Sequence, residues 1–506
     1  MKTRKPLSDG LLKKSLAVSA VLALSACSLV QYQPLKTISK VDLNSGYRLQ
    51  KVMDEKRDAA ENDMLVVLMF SGGGTRAAAL GYGVLEELNK QKIWVNGKES
   101  SLIEQIDLVT GVSGGSVLAA YFSLHGKDTI PSFERRFLKQ NFQRQVAKQV
   151  FSAANLPRLT SPEFGRGDLL QEQFESSLFR NATFGDLEKH RKGPFVMISA
   201  TDMSRGSRID FTQEYFDAMC LDLSALPLAR AVAASSAVPL VFAPITLNNN
   251  GGNCGYTLPR EIKQAAETDP DKLQSKTRRE FGNRLQDYSN SSERPYIHLL
   301  DGGLTDNLGL RSLLDTTEIY SDNMVYRQFN DGTVNKIVVI NVNAQNQLAS
   351  QIDQSAAVPG VTEVLNAIIN IPIDQYSQES LRRFRAFTDR WNEEARSNSG
   401  HEVNMYFISL NLRDLPESQL RENVLNISTS FYLPGNHVND LKESARVLLR
   451  RSKEYNRLLE ALAAPPAEPE PVSQPVWFVG EGPVQPPSRE QMQGYDALFE
   501  AASAVD

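Results

Sequence analysis

Continuous apolar runs, rather than alternating ones, set the rhythm of this chain. Residues 64–70 (Met-Leu-Val-Val-Leu-Met-Phe) are apolar throughout, as in a strand buried on both faces. Ser71-Gly72-Gly73-Gly74 follows, then a helical stretch over about 75–89. The plan recurs: 106–109 is strand-like, Gly111-Val112-Ser113-Gly114-Gly115 turns sharply, and 116–124 is helical. Residues 195–198, 296–300, 336–342 and 403–410 are further strand candidates, with helical segments between many of them. Such alternation predicts an α/β fold with a largely parallel sheet. No internal repeat interrupts it.

Two inserts break the rhythm. Residues 131–190 are helix-rich and place Phe133, Phe137, Phe142, Val146 and Val150 near helical spacing. Arg135, Arg136, Lys139, Arg144 and Lys148 lie between them. A basic amphipathic segment of this kind either packs its apolar face on its own body, the favoured expectation here, or lies on a membrane surface. Residues 255–295 are charged and polar and read as a surface excursion. Residues 440–462 read as a helix. Eight of the 24 prolines fall between Pro465 and Pro487, so residues 463–506 read as a flexible tail.

The first residues stand outside this body. Lys2, Arg4, Lys5, Lys13 and Lys14 precede an apolar run over 16–26, too short to span a bilayer. Residues 1–26 therefore read as a secretory signal peptide. Leu24-Ser25-Ala26-Cys27 resembles a bacterial lipobox, which implies that Cys27 carries lipid and that residues 27–60 tether the body to it. By the same resemblance, the non-acidic Ser28 points to the outer membrane. Export permits a disulfide between Cys220 and Cys254, against two buried thiols.

Length and charge narrow the function classes. The 506 residues, 41% hydrophobic, suffice for a large core, and residues 61–462 form its expected extent. A net charge of −5, with no basic block interleaved with aromatics, argues against nucleic acid as a partner. The five histidines show no ligand spacing, so no metal site and no cofactor is expected.

Three motifs carry chemistry. Gly111–Gly115 fits G-x-S-x-G, in which a tight strand-to-helix turn exposes the serine Oγ and small neighbours avoid a clash. Gly72, Gly73 and Gly74, also between strand and helix, allow backbone N–H groups to converge on an oxyanion or a phosphate. No Gly-Lys-Ser/Thr follows, which excludes a Walker A loop. Asp301-Gly302-Gly303 comes directly after the strand-like 296–300, where open α/β sheets place their sites.

In this order, glycine nest with Arg76 two residues on, G-x-S-x-G, then D-G-G, the chain resembles the patatin-like phospholipase family. Ala234-Ser235-Ser236-Ala237-Val238-Pro239 with Phe242-Ala243-Pro244 resembles a further segment of that family, and Gly81-Tyr82-Gly83-Val84-Leu85 its first helix. Ala77 departs from the glycine common after the arginine. The resemblance covers about 64–310. It implies a three-layer α/β/α body, Ser113 as nucleophile, Asp301 as its base, Gly72, Gly73 and Gly74 as oxyanion donors, and Arg76 as a brace for their loop. It implies acyl ester hydrolysis of membrane phospholipids, of phospholipase A or lysophospholipase type, without metal.

Three rivals stay open on sequence grounds. A Ser-His-Asp esterase needs a late histidine as base, and His298, His401 and His437 are available. An acyltransferase would use the same dyad with an acceptor other than water. A non-catalytic envelope lipoprotein would keep the fold without turnover.

Overall fold

The computed structural model describes residues 30–463 except 53, 55–63, 96, 261, 264–272, 321–333, 348–349 and 398–402. The signal segment, Cys27, His401 and nearly all of the Pro-rich tail lie outside the described residues. The chain divides into two units, Met1–Ala463 and Ala464–Asp506. The second lies wholly outside the described residues.

Ten strands are described: β1 Met64–Phe70, β2 Lys92–Val95, β3 Lys98–Ser101, β4 Leu108–Val112, β5 Phe195–Asp202, β6 Ser207–Asp210, β7 Ile245–Asn248, β8 Tyr296–Leu300, β9 Lys336–Asn343 and β10 Asn404–Asn411. The main sheet runs β10-β9-β1-β4-β5-β8-β7, with β6 on β5, while β2 and β3 form a separate hairpin. Neighbours from β10 to β5 are parallel; β8, β7 and β6 pair antiparallel. Every residue of β1 and β5 is buried, which is why β1 and the first half of β5 read as unbroken apolar runs. Helices cover both sides of this mostly parallel sheet, giving the expected three layers. Those used below are α1 Thr75–Lys90, α2 Gly114–His125, α3 Phe142–Val150, α4 Arg166–Phe174, α5 Leu228–Ser235, α6 Val361–Ser397 and α7 Gly435–Arg451.

The register places the site. Phe70 at the end of β1 stands opposite Gly111 on β4 and Val342 on β9. The turns that follow β1 and β4 therefore leave the same edge of the sheet, side by side. In α1, a Cβ on Gly81 would fall 2.7 Å from the Phe70 ring, and one on Gly83 would fall 2.8 Å from the Lys442 backbone of α7. Glycine at these positions lets the helix lie tight on β1 and α7.

The insert folds back on the body. Phe133, Phe137, Phe142 and Phe174 are buried, and their rings follow one another at centroid spacings of 4.8–5.9 Å. Phe174 and Phe242 both meet Phe431, at 6.1 and 5.8 Å. The apolar face of the basic segment is thus the inner one. Its outer face keeps Arg144 and Lys148 exposed.

Several elements differ from expectation. Residues 30–52, read as part of a tether, lie against the body. Tyr47 is 1% exposed, and its hydroxyl accepts from Val196 N–H at 2.8 Å. Arg48 pairs with Asp217 at 2.7 Å, both buried. The disulfide that export permits is, by contrast, formed, joining Cys220 and Cys254 with Cα atoms 5.6 Å apart. The polar excursion 255–295 contains a helix, Leu273–Tyr288. Its Phe281, Leu285 and Tyr288 are buried, and the Tyr288 hydroxyl donates to Asp202. The helix expected over 440–462 is two, because Ser452 leaves helical geometry (ψ 112°) and its hydroxyl caps the next helix through Tyr455 N–H. Long α6, with Pro372 inside it, had no counterpart in the sequence reading.

Candidate active site

Ser113 follows β4 and caps α2 at φ 51°, ψ −124°. This left-handed φ is rare for a residue with a Cβ and marks a turn held by its surroundings. The hold is visible. Ser113 N–H donates to Ser235 Oγ at 2.9 Å, and Ser235 Oγ donates to Ser199 O at 2.7 Å. On the far side, Ser113 O accepts from Ser116 N–H and Ser116 Oγ, at 2.9 and 2.6 Å. A Cβ on Gly114 would stand 2.0 Å from Gly74 O, so the turn at Ser113 and the glycine nest touch through backbone alone.

The nest is selective in what it offers. Gly72 N–H donates to Asn307 O at 3.0 Å, and Thr75 N–H to Ser430 O at 2.8 Å. Gly72 is therefore committed to holding the loop, contrary to its expected role as an oxyanion donor. Gly73 and Gly74 take φ 139° and 62° and lie between those two anchored N–H groups. Their N–H groups, with the first N–H groups of α2, are the donors left for an anion beside Ser113.

Arg76 acts as a brace. Its guanidinium is 3% exposed and donates to Ala344 O, Ile427 O, Asn346 Oδ1 and Thr429 Oγ1. It ties the loops after β9 and before α7 to the nest, and burial lowers its pKa to about 10. Four of its five N–H groups are engaged by these acceptors.

Asp301 leaves the end of β8 at the same edge of the sheet. Its N–H donates to Ala237 O at 3.0 Å, its carbonyl accepts from Thr201 Oγ1 at 2.9 Å, and its Oδ1 accepts from Gly303 N–H at 2.8 Å. The carboxyl is buried, and Oδ2 has no hydrogen-bond partner among the described residues. Burial raises its pKa to about 6, against the lowering pull of the Ser113 hydroxyl and the Gly303 N–H. The Ser113 hydroxyl is thus near enough to draw on the carboxyl, while Oδ2 remains open to it. An acid with a pKa near 6 is better matched to proton transfer at neutral pH than an ordinary Asp.

A second carboxyl, Asp306, is held nearby in structural contacts. It accepts from Ser312 N–H at 3.0 Å and lies 3.6 Å from Arg208, which also pairs with Asp210 and Asp315. Burial first, against the opposing Arg208 charge, raises the Asp306 pKa to about 6.

The fold brings Ser113, Asp301, Gly73, Gly74 and Arg76 together. It places His298 on the other face of β8, where it hydrogen-bonds Thr246 at 3.0 Å. Among the described residues no histidine hydrogen-bonds Ser113 or Asp301, and no group of three or more His, Cys, Asp or Glu is set to hold a metal. Sequence reasoning missed Ser235, Asn307, Thr201 and Ser430. Ser235 lay within the quoted 234–239 segment, but only the fold reveals that its hydroxyl fixes the Ser113 turn.

The profile of the patatin-like phospholipase family matches residues 68–314. No curated protein sequence matches the chain. Among solved structures, human GIVD cytosolic phospholipase A2 is similar over 82% of this chain and 65% of its own, at 11% identity and a TM-score of 0.42. The same enzyme in complex with methyl γ-linolenyl fluorophosphonate gives 12% identity over 82% and 62%, with a TM-score of 0.38. This chain thus spans less than two thirds of the length of that phospholipase. With the match running from β1 through the nest, the Ser113 turn and Asp301, the chain carries a domain of the patatin-like phospholipase family.

Proposed function

We propose that this chain is a serine acyl hydrolase of membrane phospholipids or lysophospholipids. Ser113 Oγ attacks the ester carbonyl carbon while its proton passes to Asp301 Oδ2. The oxyanion is received by Gly73 and Gly74 N–H and the first turn of α2. Collapse expels the lipid alcohol, which takes the proton back from Asp301. Water, deprotonated by Asp301, then releases the fatty acid and restores Ser113. The observation that carries this reading is the juxtaposition of a left-handed Ser113 with a buried carboxyl whose Oδ2 has no other partner.

The reading extends to where the protein sits. Cys27 bears lipid in the envelope of its host, at the outer membrane, and keeps the body beside its substrate. The apolar run before it and the position of the cysteine support this. The test is labelling by a fluorophosphonate followed by mapping of the modified peptide. Modification at Ser113, abolished in Ser113→Ala together with ester hydrolysis, is the expected result. Modification elsewhere, or turnover retained in Ser113→Ala, overturns the nucleophile. Mass spectrometry of the native protein with an unmodified Cys27 overturns the anchor.

A further inference from the structure

We propose that the face bearing Arg144, Lys148, Phe151, Leu240 and Val241 seats on an anionic phospholipid bilayer, with the Ser113 site opening beside it. This rests on the reading of the chain as a lipid hydrolase anchored through Cys27, and adds which side of the body meets the lipid.

The outer side of α3 is the starting point. Phe142 and Val146 are buried, whereas Arg144, Lys148 and Phe151 follow one another at spacings of four and three on the opposite side. Phe151 is 79% exposed. Two cations leading to an exposed aromatic ring fit headgroups above and acyl chains below. Between Lys139 and Arg166 the chain carries five cations and a single carboxylate, Glu163. Lys139 pairs with Glu134, and Arg158 with Glu172, which leaves Arg144 and Lys148 facing solvent.

The same segment reaches the site. Arg166 donates to Leu240 O at 3.0 Å, and Gly165 lies directly against Ala243. Leu240 and Val241 are 61% and 53% exposed. They continue the backbone that accepts from Asp301 N–H at Ala237 O. The apolar tip and the backbone carbonyl that anchors Asp301 thus share one short loop.

The path of the chain supplies the orientation. Val30 O accepts from Ser161 Oγ at 3.0 Å, and Tyr32 N–H donates to Glu163 at 2.7 Å. The N-terminus therefore arrives on the segment that joins Phe151 to Leu240. Cys27 is three residues before Val30, a reach of roughly 10 Å when extended. A lipid on Cys27 so closely leashed holds this face, and not the opposite one, against the bilayer. A second exposed apolar stripe, Val358, Val361, Val364, Ile368 and Ile371 at the start of α6, serves as the internal control. It has no cation among residues 355–373, and among the described residues no hydrogen bond joins it to residues 30–52.

The test is hydrogen exchange of the full chain, as Ser113→Ala to spare the lipid, on phosphatidylglycerol–phosphatidylethanolamine vesicles. Exchange is expected to slow several-fold in 144–166 and 238–243 and to stay unchanged in 358–373. In the otherwise native chain, Arg144→Glu/Lys148→Glu should lower hydrolysis of vesicle lipid about tenfold, leaving a dispersed short-chain ester hydrolysed as before, and Leu240→Ser/Val241→Ser should lower vesicle hydrolysis as well. Protection confined to 358–373, protection nowhere, or unchanged vesicle hydrolysis in both variants overturns the proposal. If the native chain cleaves no ester yet the stated peptides are protected, the hydrolase reading falls and the docking face stands.

Discussion

At Ser113 two demands meet, a hydroxyl that must be reached and a backbone that resists the shape required. The φ of 51° is stable only because Ser235 and Ser116 hold both sides of the peptide. Ser113→Ala should cut turnover at least a thousandfold while the unfolding midpoint stays within a degree or two, since no hydrogen bond of the fold uses Oγ. Ser113→Gly, equally inactive, should be the more stable variant by roughly 1 kcal/mol, because glycine accepts this φ without strain. Asp301 is the complementary case. Its folded pKa of about 6 exceeds the ordinary 3.8, so the folded state keeps its proton as pH rises through that window while the unfolded chain releases it. Asp301 therefore lowers stability progressively from about pH 4 to 6, by roughly 3 kcal/mol once ionised. Asp301→Asn should abolish activity yet raise the unfolding free energy at pH 8 by about 1–3 kcal/mol, and leave it unchanged at pH 3.5. In the native chain kcat/KM should rise through about pH 6 as the base ionises. Lack of an acid limb in that region would count against Asp301 as the base.

Between elements, the site is a contact of two turns. Because a Cβ on Gly114 would stand 2.0 Å from Gly74 O, Gly114→Ala must push the nest away from the Ser113 turn. The expected result is a loss of kcat of about a hundredfold or more from misplaced donors, with a stability cost of about 1–3 kcal/mol. Short-ester kinetics and urea unfolding would check both. How much of this was legible follows from what each element buries. β1, β4 and β9 lie inside the sheet and announced themselves as apolar runs. β7 and β6 are four residues each, and half the positions of β7 are partly exposed, so neither stood out. The antiparallel pairing of β8 depends on partners far away in sequence, which periodicity does not encode. In the site, Ser113 stood out through its G-x-S-x-G turn, whereas Asp301 and Arg76 were picked out by the resemblance to the patatin-like phospholipase family rather than by turn chemistry. The commitment of Gly72 to Asn307, 235 positions away, became visible only in the fold. The basic insert combined both: its apolar spacing pointed to packing on the body, but the partners it packs on, Phe174 and Phe431, became visible only in the fold.

Across the whole molecule, the disulfide and the N-terminal segment share one neighbourhood. The bridge closes a loop of sequence separation 34 that contains Ser235, Ala237 and Leu240. Cys220→Ser/Cys254→Ser should lower the unfolding free energy by about 3–4 kcal/mol in urea. Because the segment that holds Ser113 through Ser235 and Asp301 through Ala237 then gains freedom, activity should fall before the fold is lost on warming. Next to the bridge, Cys254 Sγ lies 3.6 Å from Asp217 O, and Asp217 holds Arg48. Arg48→Met leaves a carboxylate buried without its partner and should cost about 3–5 kcal/mol, readable as a lowered Tm. The arrangement has a mechanical meaning. A pull on the N-terminus does not load the catalytic turns first. It is taken in series by Tyr32 on Glu163 and Asn248, then by Tyr47 wedged at β5, and next by Arg48 on Asp217. Drag on the body is thus shed into the outer loops and the buried ion pair, and the spacing of Ser113 and Asp301 is the last dimension to stretch.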